Sequence, residues 1–261
     1  MTAISDLGSA PLSSGGSIPL VGFGTWQLSG TSARESTAAA LDAGYRHIDT
    51  ATGYANEAEV GAALRDSGVP RGEVFVTTKL PPDHGGRERR TLEESLAALG
   101  VDQVDLWLIH WPPGGAGVEM WRELIRAQQD GLARAIGVSN YSLDQIDELN
   151  AATGVTPAVN QIKWGPFLHD AKIFAGHQER GVVLEGYSPF RSGSLKDPTL
   201  VAIAAELGRT VPQVIVRWHV QHGIVVIPKS ARPERIVSNV DVTGFTLSDA
   251  QMTQIDALGR G

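Results

Sequence analysis

The sequence predicts a closed (β/α)8 barrel, the TIM-barrel member of the α/β class, and three observations predict it. Short runs rich in Val, Ile and Leu alternate with longer segments of helical period. Eight such runs occur, enough to close a parallel sheet on itself and so remove the edges that an open sheet must protect. A glycine ends each intervening helical segment, where the chain leaves the helix for the next strand.

Taken in order, the chain opens with a small polar stretch, and residues 1–11 are expected to be flexible. LSSGGSIPL then forms a tight hairpin around Ser14 to Gly16 that closes the bottom of the barrel. The strands are IPLVGFGT, YRHIDT, VFVTTK, VDLWLIH, ARAIGVSN, AVNQIK, VVLEGYS and IVVIPKS. The helices between them run through TSARESTAAALDAG, EAEVGAALRDSG, RTLEESLAALG, VEMWRELIRAQQDG, SLDQIDELNAATG, AKIFAGHQERG and VPQVIVRWHVQHG. Gly44, Gly68, Gly100, Gly131, Gly154, Gly181 and Gly223 are their left-handed caps. The segment before the eighth strand divides into two helices at Gly208. Extra helices from about Pro233 and Ser248 lie near the C-terminus, outside the repeat. A single barrel domain over residues 1–261 accounts for the whole chain, a usual length for this fold.

Composition limits the function. The chain is 42% hydrophobic with a formal charge of -7, which argues against a nucleic-acid surface and against polybasic attachment to a membrane. It has no cysteine, which removes disulfides, thiolate nucleophiles and Cys-ligated zinc. The N-terminus has neither the basic start nor the apolar run of a signal peptide, so a cytoplasmic protein is expected. The histidines are scattered, and His219 with His222 read as structural; no metal is expected.

In this fold the chemistry sits at the C-terminal ends of the strands. Those ends read Thr25, Asp49, Lys79, His110, Ser139 with Asn140, Gln161, Tyr187 with Ser188, and Lys229 with Ser230. The stretch GYRHIDTATGYANEAEVG is dense in polar residues for the end of an apolar strand. An ammonium beside a phenol favours the phenolate, so Lys79, held charged by Asp49, is expected to make Tyr54 more acidic. His110 is placed to hydrogen-bond a substrate oxygen. Such a group suits protonation of a carbonyl oxygen while hydride reaches the carbon, and a nicotinamide is the natural hydride source.

The dinucleotide fingerprint is incomplete: GFGTWQ has Gln27 where a third glycine belongs. IPKSARPERIVSN offers another phosphate site. There Ser230 can cap a helix, Pro233 sits in its first turn, and Lys229, Arg232 and Arg235 gather at its start. The surplus positive charge fits a 2′-phosphate, hence NADP (NADPH) over NAD.

GYRHIDTATGYANEAEVG, VFVTTKL, VDLWLIHWP, AIGVSNY, PAVNQI, EGYSPF and IPKSARPERIVSN stand in an order and at a spacing that resemble the aldo-keto reductase family, from LSSGGSIPLVGFGTW to the last helix. The resemblance implies an NADPH-dependent carbonyl reductase with Asp49, Tyr54, Lys79 and His110 as its catalytic four. It implies that Ser139, Asn140 and Gln161 hold the nicotinamide carboxamide, that Tyr187 stacks on its ring, and that Ser188, Phe190 and Ser192 line the pyrophosphate path. Lys229, Ser230 and Arg235 then take the 2′-phosphate and Asn239 faces the adenine; Arg232, beside them at the helix start, and Gly24, Thr25 and Trp26 are counted with the cofactor site. Trp26 and Trp111 wall the substrate site beside Tyr54 and His110.

Departures from the family pattern fall at Ser238, at Lys163-Trp164-Gly165, at Leu80-Pro81 and in the short C-terminal tail. They bear on specificity, not on the chemistry. The expected partner is a small aldehyde or ketone, and the expected state is a monomer. The competing reading is a nicotinamide-binding sensor on the same barrel with negligible turnover. A barrel glycosidase is set aside for want of paired rim carboxylates.

Overall fold

The computed structural model describes residues 7–259. Strands β1 (Ser9–Pro11) and β2 (Ser17–Pro19) pair antiparallel with Ser9 opposite Pro19, and the Leu12 N–H donates to Gly16 O across the turn. The expected hairpin is therefore present, and it starts earlier than predicted. Ser9–Pro11, part of the stretch expected to be flexible, is strand, and Leu7 before it is buried; residues 1–6 lie outside the described residues.

Eight parallel strands follow: β3 (Phe23–Gly24), β4 (His47–Asp49), β5 (Phe75–Leu80), β6 (Val104–Ile109), β7 (Ala133–Ser139), β8 (Val159–Lys163), β9 (Val183–Tyr187) and β10 (Val225–Ile227). Each is hydrogen-bonded to the next in chain order. The last meets the first through a parallel bridge between Val21 and Val226 and through Gly24 N–H donating to Pro228 O at 3.2 Å, so the sheet closes as a (β/α)8 TIM barrel. The predicted first strand, IPLVGFGT, is divided: its Ile18 and Pro19 belong to the hairpin, while Phe23 and Gly24 pair with β4 and Val21 bridges β10.

The helices are α1 (Gly30–Asp42), α2 (Glu57–Asp66), α3 (Glu88–Leu99), α4 (Val118–Gln129), α5 (Leu143–Thr153), α6 (Ala171–Glu179), α7 (Pro198–Leu207), α8 (Val211–Gln221), α9 (Pro233–Val240) and α10 (Asp249–Asp256). The seven predicted cap glycines all have left-handed backbone, with φ from 64° at Gly181 to 97° at Gly44. At the other ends, Ser142, Thr210 and Ser248 form reciprocal capping boxes with Gln145, Gln213 and Gln251. No single described helix is long and apolar enough to cross a membrane.

Inward side chains of the lower barrel, among them Leu106, Leu108, Val159 and Val225, pack with Ala10, Leu12, Ile18 and Leu20 of the hairpin region into one apolar plug. The hairpin thus seals the N-terminal end of the barrel. A separate core gathers Trp164, Trp218, Leu200, Ile203 and Ile255 under α7, α8 and α10. With the hairpin packed into the N-terminal end of the barrel, the large cleft opens at the upper rim, where the strands end.

Candidate active site

Lys79 is the centre of the rim. Its Nζ donates to both carboxylate oxygens of Asp49 at 2.7 Å and to Thr50 O at 2.8 Å, and stands 3.4 Å from the Tyr54 hydroxyl and 4.9 Å from that ring's centroid. Lys79 is completely buried and Asp49 nearly so, whereas Tyr54 and His110 are half-buried at the mouth. Their rings meet edge to face with centroids 5.5 Å apart. A cleft of about 530 Å³ opens beside them, lined on the far side by Asn140, Gln161 and Tyr187.

The polar residues after β4 hold this arrangement in place. Thr50 Oγ1 donates to Asn56 Oδ1 at 2.7 Å, and Asn56 Nδ2 donates to Thr25 O and Leu28 O. Glu57 accepts from Thr78 Oγ1 and Ser95 Oγ. The β3 and β4 loops, α2 and β5 are thereby tied around Tyr54, which ends a 3-10 turn over Thr52–Tyr54. Ala55 then reverses the chain with φ at 51°. Among the described residues four non-glycine positions have left-handed φ, namely Gln27, Ala55, Asn140 and Ser188, and all follow barrel strands at this rim. Left-handed backbone costs an ordinary residue about 1–3 kcal/mol, and such strain collects at functional sites.

Electrostatics corrects one expectation. Burial pushes the Tyr54 hydroxyl above the ordinary tyrosine range, and the nearby Lys79 charge only partly offsets it. Tyr54 therefore stays protonated at neutral pH, and is not the acidified phenol predicted. Burial works against the Lys79 ammonium too, but Asp49 and Tyr54 outweigh it and hold Lys79 above its usual value. His110 is lowered to about 3 by burial and then by Lys79, so it is a neutral imidazole able to donate one N–H.

The opposite wall is a second network. Gln161 Nε2 donates to Asp49 Oδ2 at 2.8 Å, Ser139 Oγ to Gln161 O at 2.8 Å, and the Tyr187 hydroxyl to Asn140 Oδ1 at 2.8 Å. Asn140 Nδ2 reaches His110 O at 3.1 Å. Sequence positions from five strands thus converge on one opening.

Other predicted residues fall into place differently. Thr25 is buried and donates to Asp49 O at 2.9 Å, bracing the site from beneath. Gly24, Trp26, Ser188, Phe190 and Lys229 line the cleft, as do Trp26's counterpart Trp111 and the unpredicted Gln27, Lys163 and Arg191. Both tryptophans are about half exposed, and the Arg191 guanidinium lies 5.6 Å over the Trp26 ring. A strand-end position on β8 and proximity to Phe190 were the available signals for Lys163 and Arg191.

Ser192 donates to Pro189 O outside the lining. A Cβ on Gly165 would sit 2.5 Å from Ser192 Oγ, so glycine there lets the two loops close on each other. Trp164 is buried in the flanking core and Leu80 in the main one; neither lines the cleft.

At α9, Arg232 and Arg235 are exposed, Ser230 and Asn239 are buried, and none of the four lines the cleft. Ser230 does not cap the helix as predicted. The N-cap position is Arg232, whose N–H the Ser230 hydroxyl accepts at 3.0 Å in the preceding turn. Glu234 sits in the first helical turn among the cations.

The sequence matches the Aldo/keto reductase family over residues 20–260. The chain belongs to the aldo/keto reductase family. An aldo-keto reductase of Mycolicibacterium vanbaalenii is 46% identical over 100% of this chain and 95% of its own. A morphine 6-dehydrogenase of Pseudomonas putida is 44% identical over 96% of this chain and 90% of its own. Among solved structures, an aldo/keto reductase from Brucella melitensis superposes with a TM-score of 0.94 at 40% identity, covering 97% of this chain and 98% of that one. A Bombyx mori aldo-keto reductase in complex with NADP gives 0.89 at 34% identity, over 97% and 92%. This aldo/keto reductase is accordingly an oxidoreductase, and its rim is the place to look for the reaction.

Proposed function

We propose that this aldo/keto reductase reduces aldehydes or ketones to alcohols with NADPH, Tyr54 donating the proton. The observation that carries the reading is the Tyr54 hydroxyl: protonated, 3.4 Å from Lys79 Nζ, edge-on to neutral His110, and facing a cleft whose other wall is Tyr187, Asn140 and Gln161. The names of the relatives, a morphine 6-dehydrogenase and a reductase bound to NADP, point the same way.

The residues fit a nicotinamide dinucleotide. Tyr187 offers a ring face, and Asn140 with Gln161 offers amides beside it. From there the cleft runs past Ser188, Phe190 and Arg191 to Lys229, and Arg235 lies exposed on the next helix. When bound, the nicotinamide supplies a hydride.

Tyr54 gives its proton to the carbonyl oxygen, and the phenolate left behind is stabilised by Lys79, which Asp49 and Thr50 O hold charged and fixed. The His110 N–H orients the same oxygen. Trp26 and Trp111 give an open apolar rim with few polar anchors, which favours a broad range of carbonyl compounds. The test is NADPH consumption across a panel of aldehydes and ketones. Turnover on several members is expected; tight NADPH binding with turnover on none would replace the reductase with a nicotinamide sensor.

A further inference from the structure

Below the Lys79–Asp49 pair lies an acid that the chemistry above does not use. Glu185 stands on β9, opposite Gln161 of β8 and Val225 of β10, and is completely buried. Its Oε1 is 3.7 Å from Nε2 of His47, also completely buried, which in turn stands 3.2 Å from Thr77 Oγ1. Neither Glu185 oxygen has a hydrogen-bond partner among the described residues. The neighbouring Gln161 amide donates to Asp49 and exerts only the smallest of the pulls on the Glu185 acid, so the carboxyl keeps no well-formed donor. Buried polar groups are nearly always partnered, so a carboxyl without a donor in a barrel interior asks for a reason.

Charge balance supplies one. The groups facing Glu185 are His47 and Asp49 from β4, Lys79 from β5, and Gln161 from β8; β10 presents Val225, and Thr77 of β5 stands against His47. His219, on α8, packs against Gly186, the next residue along β9. Lys79 and Asp49 already cancel. An ionised Glu185 would leave one net negative charge in a sealed interior, which is costly. Burial, then the Asp49 charge, raise its pKa to about 8 against the pull of Lys79. His47 is lowered to about 3 by burial, so the proton resides on the acid and not on the imidazole.

We propose that Glu185 is a positioning residue: protonated, it leaves the Lys79 field to Tyr54, and on ionising it weakens that field and slows proton donation. The sign follows from charge. A second carboxylate near Lys79 partly cancels the ammonium that stabilises the Tyr54 phenolate. The inference rests on Tyr54 as proton donor. A Tyr54→Phe chain with full turnover would remove that reading, whereas the infrared measurement below does not depend on it.

The experiment is single-turnover NADPH oxidation with excess nitrobenzaldehyde across pH in the native chain, Glu185→Gln and Glu185→Asp. It is joined to infrared spectra of the cofactor-free proteins. In the native chain the rate should fall on the order of tenfold through a limb centred near the pKa of Glu185. Glu185→Gln should lose that limb with its NADPH dissociation constant unchanged, and Glu185→Asp should keep a displaced one. A carboxylic-acid band should disappear over the same pH range in the native chain and be absent from Glu185→Gln. A Glu185→Gln rate profile that superimposes on the native one, or a native spectrum without that band, overturns the proposal. If Glu185→Gln does not fold, an undisplaced limb in Glu185→Asp overturns it equally.

Discussion

The cleft around Tyr54 and the helix start beyond its rim are built on opposite principles. Around Tyr54 the ionic groups are buried, bonded to one another and fixed by two loops and a helix: Lys79 spends its hydrogen bonds on Asp49 and Thr50, and Asn56 and Glu57 anchor the chain on either side. At the start of α9 the cations Arg232 and Arg235 stand exposed on a helix whose N-cap has no side-chain bond. The buried end is organised before any ligand arrives; the exposed end is a charged surface that water and salt can reach. A residue at the first should govern rate and stability, and one at the second should govern binding.

The largest break in that contrast is Tyr54→Phe. On the function proposed above it removes the proton donor while keeping the ring against His110 and Lys79. Turnover should fall by roughly 100- to 10,000-fold, the usual worth of a positioned acid. NADPH affinity, read by fluorescence quenching, should barely move. Near-normal turnover would take the chemistry away from this end.

Asp49→Ala tests whether the buried end is also structural. It strands the Lys79 ammonium in the interior, and removing one partner of a buried pair costs about 3–5 kcal/mol. The urea midpoint should drop accordingly. A midpoint within error of the native one would mean that Lys79 finds another partner or water, and that the site is less sealed than its burial indicates.

Stability against pH sharpens the comparison further, because the most strongly shifted groups lie at the buried end and in the core. His47 and His110 are lowered to about 3 and His219 to about 4 by burial, so between those values and the ordinary 6.5 the folded chain binds fewer protons than the unfolded one. Their stabilisation is complete above 6.5 and is lost as pH falls. Glu185, raised to about 8 by burial, acts in the other direction: the folded chain holds its proton where the unfolded chain has released it, so stability declines as pH rises from 4.5 toward 8. Each group contributes at most about 1.4 kcal/mol per pH unit within its window. Urea midpoints should fall on the acid side, and Glu185→Gln should flatten the decline above 6.5. A decline unaltered by that substitution would assign it to other groups.

The contrast between the ends also explains what the sequence disclosed. Periodicity and terminal glycines marked all eight barrel strands and the surrounding helices, because alternating apolar runs and left-handed caps are local requirements of the chain. The rim set from Asp49 to Tyr187 was visible for the same reason: strand ends are local. What escaped depended on neighbours distant in sequence. IPLVGFGT read as one strand, yet its first residues pair with Ser9–Pro11. The Lys163-Trp164-Gly165 run was expected to bear on specificity, yet its Trp164 is packed away from the cleft with Trp218 and Leu200. The Lys79–Tyr54 proximity was expected to lower the phenol's pKa, but burial, which no local pattern reports, outweighs it. Glu185 is one more residue of the VVLEGYS strand in sequence; its closeness to His47 follows from barrel closure.

The smallest expected effect belongs to the exposed end. Arg235→Ala removes one cation from a solvated helix start, far from Lys79, so turnover at saturating NADPH should stay near native while the NADPH dissociation constant rises roughly tenfold, a typical loss for one charge-assisted contact. NADH, lacking the 2′-phosphate, should be little affected. Because Arg235 is exposed, added salt should weaken NADPH binding in the native chain and do so less in the variant. Binding that is insensitive to salt, or equal losses for NADPH and NADH, would move the phosphate contact off α9. The remaining candidates would then be Lys229 and Arg191, which line the cleft itself.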